Sequence, residues 1–221
     1  MLAPNLDLTR LAGADAHVTR PFEWALGESI HALAPLVKEH VRQLPGTIEV
    51  YRGRVRVWRD GGWRGKIASF LLRASVLGDF LFPETAEDVG LELKHVVTQH
   101  EDGSLSMSWA RSYQFSDVTR TFLVMMRFHQ ENGAIVNWHG CRGLFEVELH
   151  PYVEGDAIVV VSRREWLRLG GFRIPLPKFL MGCPLVREWQ DADGALHIRV
   201  EIHNTLLGRF FGYEGVYSRV S

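Results

Sequence analysis

Cysteine is scarce in this chain: Cys141 and Cys183 are the only two, and neither belongs to a close-spaced set of ligands. Isolated thiols of this kind read as reduced cysteines rather than as a structural crosslink or a zinc site. Long apolar runs are missing as well. The longest, such as Phe70-Leu71-Leu72 and Phe122-Leu123-Val124-Met125-Met126, fall far short of a bilayer span, so no stable membrane insertion is expected. Net charge is nearly absent too. Lys and Arg total 25 against 26 Asp and Glu, which removes the field that would draw the chain to nucleic acid. The N-terminus, Met1-Leu2-Ala3-Pro4-Asn5-Leu6-Asp7, lacks the basic flank and apolar core of a secretory signal, so the expected location is cytoplasmic.

Motifs for metal and nucleotide chemistry are also missing. The 10 His never occur as H-x-H, nor at helical i, i+4 spacing with a carboxylate between them. Gly170-Gly171 runs into Ile174-Pro175-Leu176-Pro177 instead of a helix N-terminus, so no phosphate cradle forms. The expectation is therefore no metal and no cofactor.

What the chain does have is period two. Val89, Leu91, Leu93, His95 and Val97 alternate with Gly90, Glu92, Lys94, Val96 and Thr98, and Glu101-Asp102-Gly103 reads as a hairpin turn into Ser104 to Phe115. Further strands are predicted at Thr47 to Arg59, Arg120 to Gln130, Ala134 to His139, Leu144 to Tyr152, Ile158 to Leu167, Cys183 to Gln190, His197 to His203 and Phe210 to Arg219. No long helices lie between them to make parallel crossovers. Helical spacing is confined to the first third: Phe22, Leu26, Ile30, Leu33, Val37 and Val41 recur at steps of three or four, with Pro35 at a kink or at the first turn of a second helix. Lys66 to Leu77 is a second, weakly amphipathic helical candidate. Residues 1–20 read as an irregular segment, and 21–221 as one domain. The fold class that follows is mainly β: a single antiparallel barrel or strongly curved half-barrel, calycin-like, with one or two N-terminal helices. Arg168 to Leu180, rich in Gly and Pro, reads as a lid or a strand-to-strand crossover near a cavity mouth.

Several pieces taken together carry a resemblance: Trp109-Ala110-Arg111-Ser112-Tyr113, Arg120-Thr121-Phe122, Gly171 to Pro177, Arg187-Glu188-Trp189, and Gly208 followed by Tyr213-Glu214-Gly215. Over roughly Ala32 to Val220 the chain resembles the bacterial domain-of-unknown-function 4166 family, in its stand-alone form. That family also occurs fused behind saccharopine-dehydrogenase-like domains. The pattern departs from the family's around Gly78 to Phe82, where a Pro-containing helix end is expected. The resemblance implies a fold and transfers no activity.

Alternation sorts the polar candidates by face. Met107, Trp109, Arg111, Tyr113 and Phe115 share one side of their strand. An arginine in an aromatic row needs a carboxylate or an anionic ligand. Glu146, Glu148 or Glu188 can supply the former, as a structural pair; a substrate carboxylate or enolate is the alternative. Glu146 and Glu148 share a face with His150, roughly 7 Å apart at ordinary strand rise, which suits either acid–base work or a solvated outer face. His197, Arg199, Glu201 and His203 read as an outward row. Trp138-His139-Gly140-Cys141-Arg142-Gly143 is the best candidate for a functional loop, with ordinary hairpin chemistry as its competitor.

These readings give Arg111, Tyr113 and Glu188 as candidate catalytic residues, and Trp109, Met125, Trp138, His139, Glu146, Trp166 and Tyr213 as candidate substrate-binding residues. The expected function is a barrel that binds a hydrophobic small molecule and acts as a cofactor-free cyclase or isomerase on a polyketide-like or lipid-like substrate. A non-catalytic carrier of the same ligand is the alternative. Both need an interior void above about 300 Å³. The expected partner is that small molecule, with a homodimer left open. Arg111 is expected to be shielded from water and paired with a glutamate of a neighbouring strand.

Overall fold

A computed structural model describes residues 21–60, 63–67, 70, 81–101, 105–129, 134–139, 143–179 and 182–220. The expected irregular segment 1–20 and most of the Lys66 to Leu77 candidate lie outside these residues, although 63–67 are helical.

The N-terminal helical region is broken, as its prolines dictate. Helix α1 spans Pro21–Leu26, a 3-10 turn covers Gly27–Ala32, and α2 spans Pro35–Val41 with Pro35 in its first turn. Proline is accepted there because the first-turn N–H has no helical partner anyway. Phe22, Leu26, Ile30, Leu33, Val37 and Val41 are all buried, so the three-and-four spacing marks the face laid against the barrel.

Eleven strands follow among the described residues: β1 Ile48–Trp58, β2 Ala86–Gln99, β3 Leu105–Gln114, β4 Thr119–His129, β5 Ala134–His139, β6 Phe145–Glu154, β7 Ala157–Leu169, β8 Phe172–Pro175, β9 Cys183–Gln190, β10 Leu196–Asn204 and β11 Gly208–Arg219. Each pairs antiparallel with its neighbours. β1 pairs with β11 and β6 with β7, so ten strands close into a barrel and β8 hangs from β7 outside the ring. Closure brings β1 and β11 unusually close. A Cβ on Gly53 would sit 2.0 Å from the Val216 carbonyl oxygen, and one on Gly215 would sit 2.1 Å from that of Arg54, so only glycine fits at this seam.

The Gly- and Pro-rich stretch needs a correction. Rather than a lid or a crossover, Phe172–Pro175 forms a short strand that turns back on β7 through Gly170, whose φ is 59°. Leu180, the end of that stretch, lies outside the described residues. The strand escapes a periodicity reading because all four of its residues are exposed, so no buried face imposes alternation.

Candidate functional site

The barrel interior is built by the inward member of each alternating pair. β3 contributes Trp109 and Arg111, β5 contributes Asn137 and His139, β9 contributes Val186 and Glu188, and β11 contributes Phe211 and Tyr213 to one cavity wall. The remaining wall is mostly aliphatic: Val124 and Met126 of β4, Val147 and Leu149 of β6, Ile158 and Val160 of β7. Phe22 and Val41 close the helical side. The cavity has a volume of about 100 Å³. That is well below the roughly 300 Å³ that both expected functions need, so the expectation of a void for a whole ligand is corrected: the side chains of ten strands converge on the interior.

Arg111 is the cationic group of this wall. Its guanidinium carbon lies 5.2 Å from the Trp109 ring centroid and 5.7 Å from that of Phe122, within cation–π range. Nε has no hydrogen-bond partner, and no carboxylate lies within ion-pair distance among the described residues. Burial works against the charge, but Tyr213, Tyr113 and Glu188 outweigh it and raise the pKa, so the group stays ionised. Arg111 nevertheless keeps intermediate accessibility, and the surface it retains is cavity wall. The expected pair with a neighbouring-strand glutamate is thus corrected. The nearest such charge is Glu188 on β9, across the barrel, and that carboxylate is already taken.

Glu188 belongs to a network with the helices. His40 of α2 hydrogen-bonds its Oε2 through Nδ1 at 2.8 Å, and the Tyr217 hydroxyl lies 3.3 Å from the same nitrogen. Burial opposes the Glu188 charge, but His40 and then Arg111 hold its carboxyl below the usual range. The His40 ring stacks on His95 at 4.6 Å, and His95 stacks on Trp109 at 4.4 Å. Gln43 hydrogen-bonds His95 Nδ1 at 2.6 Å. Burial, then His40 and Arg111, push the His95 pKa well below its ordinary value, and the ring is neutral. His139 is neutral for the same reasons: burial and Arg111 bring its pKa down to about 3.

Of the candidate residues, Arg111, Glu188, Trp109, His139 and Tyr213 therefore meet around one cavity. Tyr113 does not line it. Its ring is fully buried behind the wall, 5.2 Å from Tyr213 and 5.0 Å from Phe82. Met125 and Trp138 face the other way and form a separate buried cluster with Val136 on the outer surface. Glu146 and Trp166 are also outside: Arg173 bridges to Glu146 at 2.5 Å and stands 3.7 Å over the Trp166 ring, with Arg168 at 3.5 Å from Glu146. Glu148 bonds His150 at 2.9 Å on that face. The outward row holds, with Arg199 and His203 both bonded to Glu201. Gly140, Cys141 and Arg142 of the loop candidate lie outside the described residues.

Sequence reasoning missed His40, Gln43 and Asn137. For His95 the signal was present, since it occupies an inward slot of the Val89 to Val97 alternation. His40 and Glu188 are 148 positions apart, and nothing local links them.

Fold and site together define a closed antiparallel barrel with an uncompensated arginine and a hydrogen-bonded carboxylate on its inner wall. The chain belongs to the DUF4166 family, described as a domain of unknown function, which matches residues 16–217. It is also similar to the uncharacterized protein YndH of Bacillus subtilis (strain 168), with 26% identity over 153 residues, covering 68% of this chain and 75% of the relative.

Proposed function

We propose that the protein binds one end of a mostly apolar small molecule inside the barrel and moves a proton on it without a cofactor, as an isomerase or cyclase. The supporting observation is the pairing of functions on one wall: Arg111 has no carboxylate at ion-pair distance among the described residues, and Glu188 is an ionised base beside the same cavity. In this reading Glu188 removes a proton from the carbon next to a ligand carbonyl. The electron pair moves onto the oxygen, and Arg111 holds the resulting enolate. With a β,γ-double bond conjugated to the enolate, return of the proton from Glu188 to the γ-carbon shifts that double bond and gives the isomer, while attack of the enolate carbon on a second carbonyl closes a ring and the resulting alkoxide takes the proton back from Glu188. His40 keeps the Glu188 carboxylate aimed, and neutral His139 adds no competing positive charge. The setting proposed is the cytoplasm; no helix among the described residues is long and apolar enough to cross a membrane.

A second reading, carriage without chemistry, is favoured by one observation: Glu188 is already engaged by His40, which lowers its basicity. Deuterium exchange separates the two. Incubation of an enolisable ketone or linear diketone with the protein in D₂O should label the carbon next to the carbonyl. Glu188→Gln, which keeps a hydrogen-bond acceptor for His40, should abolish labelling and retain binding. Binding with no labelling by the unaltered protein establishes the carrier.

A further inference from the structure

The two ends of the barrel are dressed differently. The N-terminal helices lie over the end formed by the β6–β7 and β9–β10 turns, where the Ala34 N–H donates to the Asp156 carbonyl at 2.9 Å and the Leu36 N–H to Gln190 Oε1 at 3.1 Å. Antiparallel alternation puts the end of β1, the β7–β8 hairpin and the β10–β11 turn at the opposite end. Of the 14 large apolar side chains exposed among the described residues, eight are there.

After β1, residues 63–67 and 70 are helical, and Trp63, Ile67 and Phe70 stand at i, i+4 and i+7. Such spacing normally marks the face laid on the core, yet all three are exposed, Trp63 by 66% and Phe70 by 72%. In the hairpin, Leu169 pairs with Phe172, and both are exposed together with Ile174. The β10–β11 turn joins the two patches. Asn204 donates to the Phe179 carbonyl at 2.9 Å and accepts from the Leu206 N–H at 2.9 Å, which holds exposed Phe179 and Leu206 side by side. On its other flank, a Cβ on Gly208 would lie 3.9 Å from the Arg64 guanidinium.

Cations are interleaved with these apolar residues. Trp63-Arg64, Lys66-Ile67, Arg168-Leu169, Phe172-Arg173 and Lys178-Phe179 are adjacent pairs. Residues 163–179 hold five cations and one acid, the buried Glu165, and residues 63–70 hold two cations and no acid. Glu146 meets Arg168 and Arg173 together, while Arg64, Lys66 and Lys178 have no carboxylate at ion-pair distance among the described residues. The whole chain carries 25 cations against 26 acids, so the excess is local. Lysine is depleted from the cores of protein interfaces, whereas long cations flanking exposed aromatic and aliphatic side chains suit the headgroup layer of a membrane.

We propose that this end of the barrel docks on an anionic lipid surface. Trp63, Phe70, Leu169 and Phe172 enter the boundary between headgroups and acyl chains, and Lys66, Arg168, Arg173 and Lys178 meet the lipid phosphates. The barrel itself stays outside the bilayer. This contact is separate from the interior chemistry, so its failure leaves the proton-transfer reading standing.

The test is co-sedimentation of the full chain with vesicles of phosphatidylcholine alone, or mixed in equal parts with phosphatidylglycerol. Each Lys or Arg near an anionic surface raises affinity about fivefold, so the mixed vesicles should bind at least about tenfold better, and less so as salt is raised. Leu169→Ser with Phe172→Ser, and separately Trp63→Ser with Phe70→Ser, should each weaken binding by about tenfold or more. Lys66→Glu with Lys178→Glu should abolish the preference for phosphatidylglycerol. Leu44→Ser, exposed near the helix-covered end, should change nothing. Every substituted residue is exposed, so circular dichroism should stay that of the unaltered protein. Absence of binding to the mixed vesicles overturns the proposal, as does binding that both apolar double variants retain. If those variants instead dissociate a dimer in sedimentation equilibrium and no vesicle is bound, the face joins two copies of the chain and the proposal fails.

Discussion

Among the arginines that stand over tryptophan rings, Arg111 and Arg173 have surroundings that could hardly differ more. On the outer surface, Arg173 covers Trp166 and is met at 2.5 Å by Glu146. On the inner surface, Arg111 leans on Trp109 and Phe122 with no carboxylate at ion-pair distance among the described residues. Water completes the solvation of Arg173, which is 49% exposed. Arg111 has only aromatic faces, the dipoles of tyrosines and the more distant charge of Glu188. Outside, the ring supports an ion pair that is already complete; inside, it supports a cation with no carboxylate at ion-pair distance among the described residues.

The largest effect that would break this contrast is expected at Glu188. Glu188→Ala removes the hydrogen-bond partner of buried His40 and a carboxylate that favours the Arg111 charge, so urea denaturation should show a loss of about 3–5 kcal/mol. A loss near zero would mean that neither interior charge depends on it. Arg111→Met should behave in the opposite sense. Without an ion pair to break, the substitution trades an incompletely solvated cation for an apolar chain. Stability should stay level or rise by about 1–4 kcal/mol, while affinity for anionic ligands is lost. Clear destabilisation would show that Arg111 is satisfied by the fold after all.

Acid should act mainly through the interior. His139 has a folded-state pKa of about 3 against an ordinary 6.5, so the unfolded chain binds the extra proton anywhere between those values. Its contribution is whole above pH 6.5 and declines as the pH falls toward 3, by roughly one kcal/mol per pH unit. His95, shifted in the same direction, adds to the decline below pH 6.5. Denaturation midpoints at pH 7.5, 6 and 5, conditions of roughly one unit's spacing, should reveal the decline, and His139→Asn should flatten it. The smallest effect is expected outside: Arg173→Ala should cost about 1 kcal/mol or less, since the pair is half in water and Arg168 remains beside Glu146.

Legibility of the molecule in its sequence follows from which faces are wet. β3 and β10 have unlike faces, so alternation alone sorted Trp109 and Arg111 inward and Arg199 and His203 outward. β4 and β5 do not. Met125, Val136 and Trp138 are buried on the outer face while Val124, Met126 and Ile135 are buried on the inner one, and a strand covered on both sides carries no sign of which side holds the cavity. Placing Met125 and Trp138 inside failed for that reason. Trp166 and Glu146 were misplaced because an aromatic and an acid suit a cavity wall as well as a cation-covered outer surface. The network of His40, Glu188 and Tyr217 is visible only once α2 is docked across the barrel end, and short-range spacing contains no trace of such docking.

The seam between β1 and β11 also governs how the barrel comes into being. Its partners run from Tyr51 with Arg219 to Trp58 with Gly212, so the ring cannot shut until almost the whole polypeptide is available. Contacts of such long range are made only after the entropy of closing the intervening loop has been spent, which slows folding and leaves strand edges open to other chains meanwhile. A nascent chain still lacking β11 would present the free edges of β1 and β10 together, and this is the stage at which a chaperone or a second copy would most readily capture it.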